Sequence, residues 1–372
     1  MKIVVLGASG NAGGRIAALL APGLSADDEL VLAGRNQRKL AAARVAVQGP
    51  AHVLLAPADV QDLPGIRQLV TGSDLVVVAV SRPDLVGDLA RIVLDAGADW
   101  CDTMLSSPTK LAALRALEPE IEAAGRCFVT DCGFHPGLPA VLVRWAAAQL
   151  DDLVEADVMA GLRIDWRTET LAESTVEEML TELSDFDLTT WVDGRRRRLS
   201  WRECPTIDFG EPIGRRAVVP MALAEMDDLP RQFTSLRRCG FYICGFSPPM
   251  DYAVLPLLMA MAKVPALRGP AVALTRWSMR HLASPPPPHR LVVQLDATGQ
   301  LDGSPATASV SVAGTDSYLL TAAPVVACLR RVLDGSDRRV GLHLQGQLVT
   351  PEPFLVELAR FGLAVHTRVE KG

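Results

Sequence analysis

The sequence predicts an α/β protein with two domains: an N-terminal doubly wound parallel sheet, then an α+β domain with a mostly antiparallel sheet. The main observation comes from the first 137 or so residues. There, apolar runs typical of buried parallel strands alternate six times with helical stretches. After Gly137 the alternation stops, and strand-like segments around turn sequences replace it. The length of 372 residues is sufficient for two domains.

The first domain is predicted to cover residues 1–137. Its helices often end in glycine, and one begins with Pro83 and ends before Gly97, the usual asymmetry of helix termini. The predicted strands are 3–6, 29–34, 52–60, 74–81, 99–104 and a sixth that begins at 127 and runs into a glycine- and proline-rich loop. The predicted helices are 11–20, 37–46, 63–72, 83–97 and 111–125.

Residues 138–316 are predicted to form an α+β substrate and dimerisation domain. It has a helix at 138–150, a hairpin around Asp193-Gly194 and an antiparallel pair at 290–300 and 306–314. The apolar stretch 252–262 is too short to span a bilayer and is predicted to be a buried helix. Residues 317–372 are predicted to be helices that return to the first domain. Antiparallel sheets of such domains often pair across a two-fold axis, so we expect a homodimer.

Composition narrows the class of protein. The formal net charge is -6, which disfavours nucleic acid as a partner, and the arginine run 195–198 is interpreted as a solvated hairpin tip. The seven cysteines are irregularly spaced and the six histidines scattered, so we expect reduced thiols, a cytoplasmic location and no metal. Neither a signal peptide nor a membrane segment is predicted.

The stretch "VVLGASGNAGG" carries the strongest functional signal. Gly7, Gly10 and Gly13 follow a strand and open a helix, which is the Rossmann dinucleotide fingerprint in the shifted form GxxGxxG. The three glycines allow, in order, the sharp turn, the approach of the backbone to a pyrophosphate and close helix packing. Ser9 and Asn11 are expected to add hydrogen bonds, and the helix N-terminus to attract the phosphates.

The end of the second strand distinguishes the two nicotinamide cofactors. An acid there binds the ribose of NAD, whereas this chain has Arg35 and Asn36, and an arginine suits the 2′-phosphate of NADP. We therefore expect NADP, with NAD as the alternative in which Arg35 only covers the adenine. Asp59, at the end of the third strand, either contacts the adenine or is a solvated cap. Ser81, after the fourth strand, completes the predicted cofactor-binding set.

Several segments resemble the saccharopine dehydrogenase-like family of oxidoreductases. They are the opening glycine loop with "AGRN", the segment "WCDTM", the loop "DCGFHPGLPAVL" and the C-terminal "GLHLQGQLVTPEPFLVELARFG". The resemblance covers about the first 142 residues well and the last 55 moderately. It implies NAD(P)-dependent hydride transfer at a carbon–nitrogen bond of an amino-acid-like small molecule. Where the family's loop typically has an acid, this chain has His135.

In an open α/β sheet the reaction occurs outside the carboxyl ends of the strands. Of the polar residues there, His135 is the predicted proton donor or acceptor, since imidazole titrates near neutral pH. Asp102 is predicted to orient a substrate amine or the nicotinamide ribose. The alternatives are that His135 only packs in its turn and that Asp102 only caps a helix. Two other functions remain open: a carbon–carbon double-bond (enoyl-type) reductase, and a non-catalytic NADP-binding sensor.

Overall fold

The computed structural model describes residues 1–167, 176–177, 179–180, 188–200 and 202–372, which divide into two compact units. The first unit comprises residues 1–141 and 318–361. The second comprises residues 142–317 and 362–372.

The first unit contains a seven-stranded sheet in which every neighbouring pair is parallel, in the order β15-β6-β5-β4-β1-β2-β3. With strands numbered along the whole chain, they are β1 (Lys2–Leu6), β2 (Glu29–Gly34), β3 (His52–Pro57), β4 (Leu75–Val78), β5 (Asp99–Asp102), β6 (Cys127–Thr130) and β15 (Gly341–Leu344). The helices are α1 (Asn11–Leu20), α2 (Gln37–Ala46), α3 (Leu63–Val70), α4 (Val86–Asp95), α5 (Pro108–Arg115), α6 (Glu118–Ala123), α11 (Ser317–Leu333), α12 (Gln345–Leu348) and α13 (Pro351–Arg360).

The core of this unit explains why its strands are apolar runs. All four residues of β4 are buried, as is normal for a central parallel strand covered on both faces. Trp100 and Phe128 lie opposite each other on β5 and β6 with stacked rings 6.0 Å apart. The predicted doubly wound parallel sheet is therefore confirmed.

The second unit contains a nine-stranded mixed sheet with the path β10-β11-β12-β7-β13-β14-β16 and a β8–β9 hairpin beside β12. Only β7 and β12 run parallel; the other pairs among the described residues are antiparallel. The strands are β7 (Asp152–Arg163), β8 (Thr189–Val192), β9 (Arg195–Arg198), β10 (Thr206–Asp208), β11 (Arg215–Pro220), β12 (Arg238–Cys244), β13 (Arg290–Leu301), β14 (Ser304–Gly314) and β16 (Ala364–Lys371). The helices are α7 (Pro139–Gln149), which enters the unit, α8 (Leu229–Gln232), α9 (Leu255–Ala262) and α10 (Arg268–Leu282).

The α+β class and the hairpin around Asp193-Gly194 are confirmed. The prediction that residues 317–372 are all helical is wrong, because β15 and β16 lie in this segment. β16 pairs with β14 of the second sheet, which is why residues 362–372 belong to the second unit. A polar strand such as β16, seven of whose eight residues are exposed, has no apolar run to reveal it.

The prediction that residues 252–262 form a buried helix is confirmed for the helix and wrong for its burial. A π-helical turn, Met250–Val254, precedes α9, and Leu258 is the buried residue within α9. Tyr252 and Leu257 are 78% and 51% exposed. The apolar composition of this stretch thus predicted a helix correctly, but it did not predict how much of the helix is exposed. In the described part of the chain, no helix combines the length and apolar character needed to cross a membrane.

Candidate active site

The parallel sheet brings the carboxyl ends of its strands to one edge, where backbone hydrogen bonds join the loops that follow. These bonds extend the hydrogen bonding of the sheet past the last paired residues of the strands, so the start of each loop is fixed in position. They run from Gly7 N to Ala33 O (2.9 Å), Ala79 N to Leu6 O (2.8 Å), Thr103 N to Val78 O (3.2 Å) and Cys132 N to Asp102 O (3.0 Å).

The glycine loop after β1 has no room for side chains at its first and third glycines. Gly7 has φ of 90°, and a Cβ there would overlap the carbonyl of Ala79. A Cβ on Gly13 would lie 2.7 Å from the carbonyl carbon of Gly7, so α1 packs directly on the loop. Both positions have the tight-turn and close-packing geometry that the fingerprint predicts.

Gly10 is the N-cap residue of α1, and no side chain caps the helix. Gly10 and Asn11 are both exposed, so the positive end of the helix dipole faces solvent. A Cβ on Gly10 would lie in the exposed space beside the helix terminus, with Gly7 O at 3.2 Å as its nearest atom. This uncapped terminus beside a glycine backbone fits a pyrophosphate.

Ser9 lies against the end of β2, where Arg35 follows. The Ser9 hydroxyl occupies the position that a Cβ on Gly34 would take, so the strand must end in glycine for the loop to lie over it. Arg35 follows directly and is exposed. The Asn36 side chain accepts a hydrogen bond from Lys39 N at 3.0 Å and thus caps α2. A hydroxyl and a guanidinium here fit a ribose 2′-phosphate.

The remaining predicted cofactor residues lie on neighbouring loops of the same edge. Asp59 follows β3, and its side chain accepts a hydrogen bond from Gln61 N at 3.1 Å, which is the geometry of a capping turn. Ser81 follows β4 and is partly exposed. That these two residues contact a cofactor stays a prediction.

Asp102 ends β5 within a completely buried cluster of charged side chains. The Lys110 ammonium lies 3.0 Å from Asp102 Oδ1 and 2.6 Å from Asp131 Oδ1, and it donates to Met104 O at 2.7 Å. Trp100 Nε1 donates to Asp102 Oδ2 at 2.9 Å. The relative exposure of Asp102, Lys110 and Asp131 is 0%. The cluster joins the ends of β5 and β6 through one cation.

Lys110 is held at this position by the start of α5. Ser107 accepts a hydrogen bond from Lys110 N at 3.2 Å as the helix N-cap, and Pro108 is the first helical residue. Burial alone would lower the pKa of Lys110, but the carboxylates of Asp102 and Asp131 outweigh it and raise the pKa above its ordinary value. The ammonium is therefore a fixed positive charge. Lys110 is not among the residues predicted from the sequence, although a lysine beside the apolar Leu111 was the available signal.

His135 lies in the loop after β6, which begins at Asp131 in the left-handed region with φ of 57°. Its ring stacks on Phe134 with centroids 4.0 Å apart. Some of the residue reaches solvent, but protein atoms surround the imidazole, and this desolvation lowers its pKa to about 4. At neutral pH His135 is thus uncharged.

This pKa predicts a pH dependence of stability. Between pH 6.5 and 4 the unfolded imidazole binds a proton that the folded one does not, so the folded state loses stability as pH falls. Relative to His135→Gln, the wild type should lose about 2 kcal/mol of unfolding free energy from pH 7 to pH 4.5, allowing for the solvated part of the ring. Urea unfolding at both pH values measures it. His52→Gln, at an exposed histidine, is the control, and equal pH slopes for wild type and His135→Gln would contradict the prediction.

Comparisons with known proteins agree with this geometry. Residues 3–129 match the family model of the saccharopine dehydrogenase NADP binding domain. The chain shares its fold with the apo histidine-tagged saccharopine dehydrogenase (L-Glu forming) from Saccharomyces cerevisiae, with a TM-score of 0.69, 16% identity and 99% coverage of both chains. The matched NADP binding domain, together with the shared fold, indicates an NAD(P)-dependent oxidoreductase. Residues 3–129 thus match a saccharopine dehydrogenase-type NADP binding domain, and the chain as a whole shares the fold of a saccharopine dehydrogenase.

Two further structures are more distant. An engineered D-amino acid dehydrogenase bound to NADP+ has a TM-score of 0.48 at 13% identity, with 95% of each chain covered. The DAP dehydrogenase of C. glutamicum in complex with DAP has a TM-score of 0.47 at 12% identity, also with 95% of each covered. No curated protein matches the chain in sequence.

Proposed function

We propose that the protein transfers a hydride between NADP(H) and the carbon–nitrogen bond of an amino-acid-like substrate. The observation that carries the proposal is an NADP-binding domain of the saccharopine dehydrogenase type on a chain that shares a saccharopine dehydrogenase's fold over 99% of its length. In the reductive direction a C=N bond takes up a hydride and a proton and becomes an amine.

The loop after β1 and the end of β2 would hold the cofactor, which supplies the hydride. The terminus of α1 at Gly10 and Asn11 would bind the pyrophosphate, and Arg35 with Ser9 would bind the 2′-phosphate. Asp59 is assigned to contact the adenine end of the cofactor, and Ser81 to contact its nicotinamide end. The protein's own task is then to orient the substrate and to move one proton.

His135 is assigned the proton transfer. With a pKa of about 4 its imidazole is neutral at physiological pH, which is the form a general base requires, although so weak a base takes a proton from a substrate ammonium only against an unfavourable equilibrium. The buried Asp102 is assigned a positioning role, since its oxygens already bind Lys110, Trp100 and the Met104 backbone. Together with Lys110 it would fix the loops around the reacting atoms.

The domain assignments remain part of the proposal. Residues 138–316 would bind the substrate and form a homodimer, and the protein would act in the cytoplasm. In the second unit, Arg163 donates to the carbonyls of Pro286 and Pro288, and Arg167 pairs with Asp165. Either arginine could bind a substrate carboxylate only by giving up these partners.

A substrate panel tests the function. The purified protein is mixed with NADPH and 2-oxo acids, each with ammonia or an amino acid as nitrogen donor, and NADPH absorbance is followed. We expect oxidation with at least one oxo acid and amine pair, and its loss in Gly10→Val. Turnover of 2-enoyl thioesters alone would replace the proposal with the enoyl reductase. Binding of NADPH without turnover of either class would favour the sensor.

A further inference from the structure

The edge strand of the first sheet brings a buried glutamine to the carboxyl edge. β15 pairs in parallel with β6, and Leu344 lies opposite Thr130. Gln345 follows directly and so lies level with the start of the loop 131–137. Its relative exposure is 0%. A residue about 210 positions away in sequence thus lies beside the loop that carries His135.

The amide of Gln345 packs closely against both ends of this loop. Its Nε2 donates to Gly133 O at 3.1 Å. A Cβ on Gly137 would lie 2.5 Å from the same nitrogen and 2.6 Å from Gly133 O. Gly137 has φ of 120°, which an L side chain rarely adopts. The stretch that contains His135 is therefore closed at both ends around one side-chain amide.

Stability alone does not account for this contact. The other amide atom, Gln345 Oε1, is buried without a hydrogen-bond partner in the described residues. An unsatisfied buried acceptor costs at least as much free energy as one ordinary hydrogen bond contributes. An unbranched apolar side chain would avoid that cost while leaving the Gly133 carbonyl unpaired. The net effect of the amide on folding is therefore small, and its effect on the shape of the loop is what distinguishes it.

We propose that Gln345 is a positioning residue whose amide fixes the loop 133–137 and, through it, the imidazole of His135. The role of this placement in turnover rests on the proposed function, in which His135 moves the proton. A displacement of about 1 Å at a reacting group lowers rates by about 100-fold. Gln345 lies outside the assigned cofactor site, so NADPH binding should not depend on it.

The test compares Gln345→Met with Gln347→Met, the same chemical change two residues further along α12. The measurements are the urea midpoint, the NADPH dissociation constant, the NMR titration of His135 and the steady-state constants. In Gln345→Met we expect an NADPH dissociation constant within twofold of wild type, a His135 pKa raised by at least half a unit, and kcat lowered about 10- to 100-fold with little change in KM. Gln347→Met should resemble the wild type.

Two results would overturn the proposal. One is an unchanged His135 titration in a folded Gln345→Met protein; the other is an equal change in Gln347→Met. If Gln345→Met does not fold, Gln345→Leu serves instead, since it also lacks the donor and adds no charge near His135, and an unchanged His135 titration there has the same meaning. Should no substrate be turned over, the proposed function fails, while the His135 titration still decides the role of Gln345.

Discussion

Replacing Lys110 with methionine should lower the free energy of unfolding by about 3–5 kcal/mol. The ammonium lies between Asp102 and Asp131 with all three side chains inaccessible to solvent. Its removal leaves two buried carboxyl groups with no cation and frees the carbonyl of Met104. Losing one partner of a buried ion pair is costly because the other charge remains without its solvation.

Urea unfolding measures this change, and two variants make it specific. Arg67→Met removes an exposed partner of Asp95 and should cost less than about 1 kcal/mol. The triple variant Lys110→Met, Asp102→Asn, Asp131→Asn should recover part of the loss, because it removes the uncompensated charges. A loss of under about 1 kcal/mol in Lys110→Met would contradict the buried cluster.

Gly10→Val should raise the dissociation constant of NADPH about 100-fold while the protein stays folded. Gly10 is exposed and has φ of -89° and ψ of 167°, a conformation open to any residue, and its nearest neighbour to an added Cβ is 3.2 Å away. The valine methyl groups would occupy the space that a pyrophosphate needs at the α1 terminus.

The matched control for this variant is Gly14→Ala. Gly14 lies in the same helix, and a Cβ added there would lie 3.2 Å from Ala8 O. This Cβ would point toward Ala43 of α2 rather than toward the cofactor side of the loop. We expect NADPH binding close to that of the wild type. Fluorescence titration gives both constants, and similar binding by Gly10→Val and the wild type would place the phosphates elsewhere.

Much of the first unit was predictable because its strands are buried on both faces. Such strands are continuous apolar runs, as in β4, and the glycine spacing after β1 follows from a steric requirement on the backbone. β16 escaped prediction since an exposed edge strand has no such pattern. The four-residue β15 is stabilised by its pairing with β6, a partner distant in sequence.

The site was predictable only where local sequence carries the chemistry. The glycine loop is such a case, whereas Lys110 and Gln345 act through contacts with residues on other strands. Lys110 joins Asp102 to Asp131, and Gln345, at the end of the neighbouring strand β15, donates to Gly133. The charge state of His135 could not be predicted from the sequence, because its lowered pKa arises from desolvation in the folded protein.

The central claim is that the backbone after β1, with Arg35 at the end of β2, binds NADP(H). The most direct measurement is titration of the wild-type protein with NADPH and, separately, NADH, followed by nucleotide fluorescence and thermal shift. We expect saturable binding of both nucleotides, with NADPH the tighter ligand and with the difference in affinity lost in Arg35→Ala. No change of fluorescence or melting temperature with either nucleotide at millimolar concentration would contradict it.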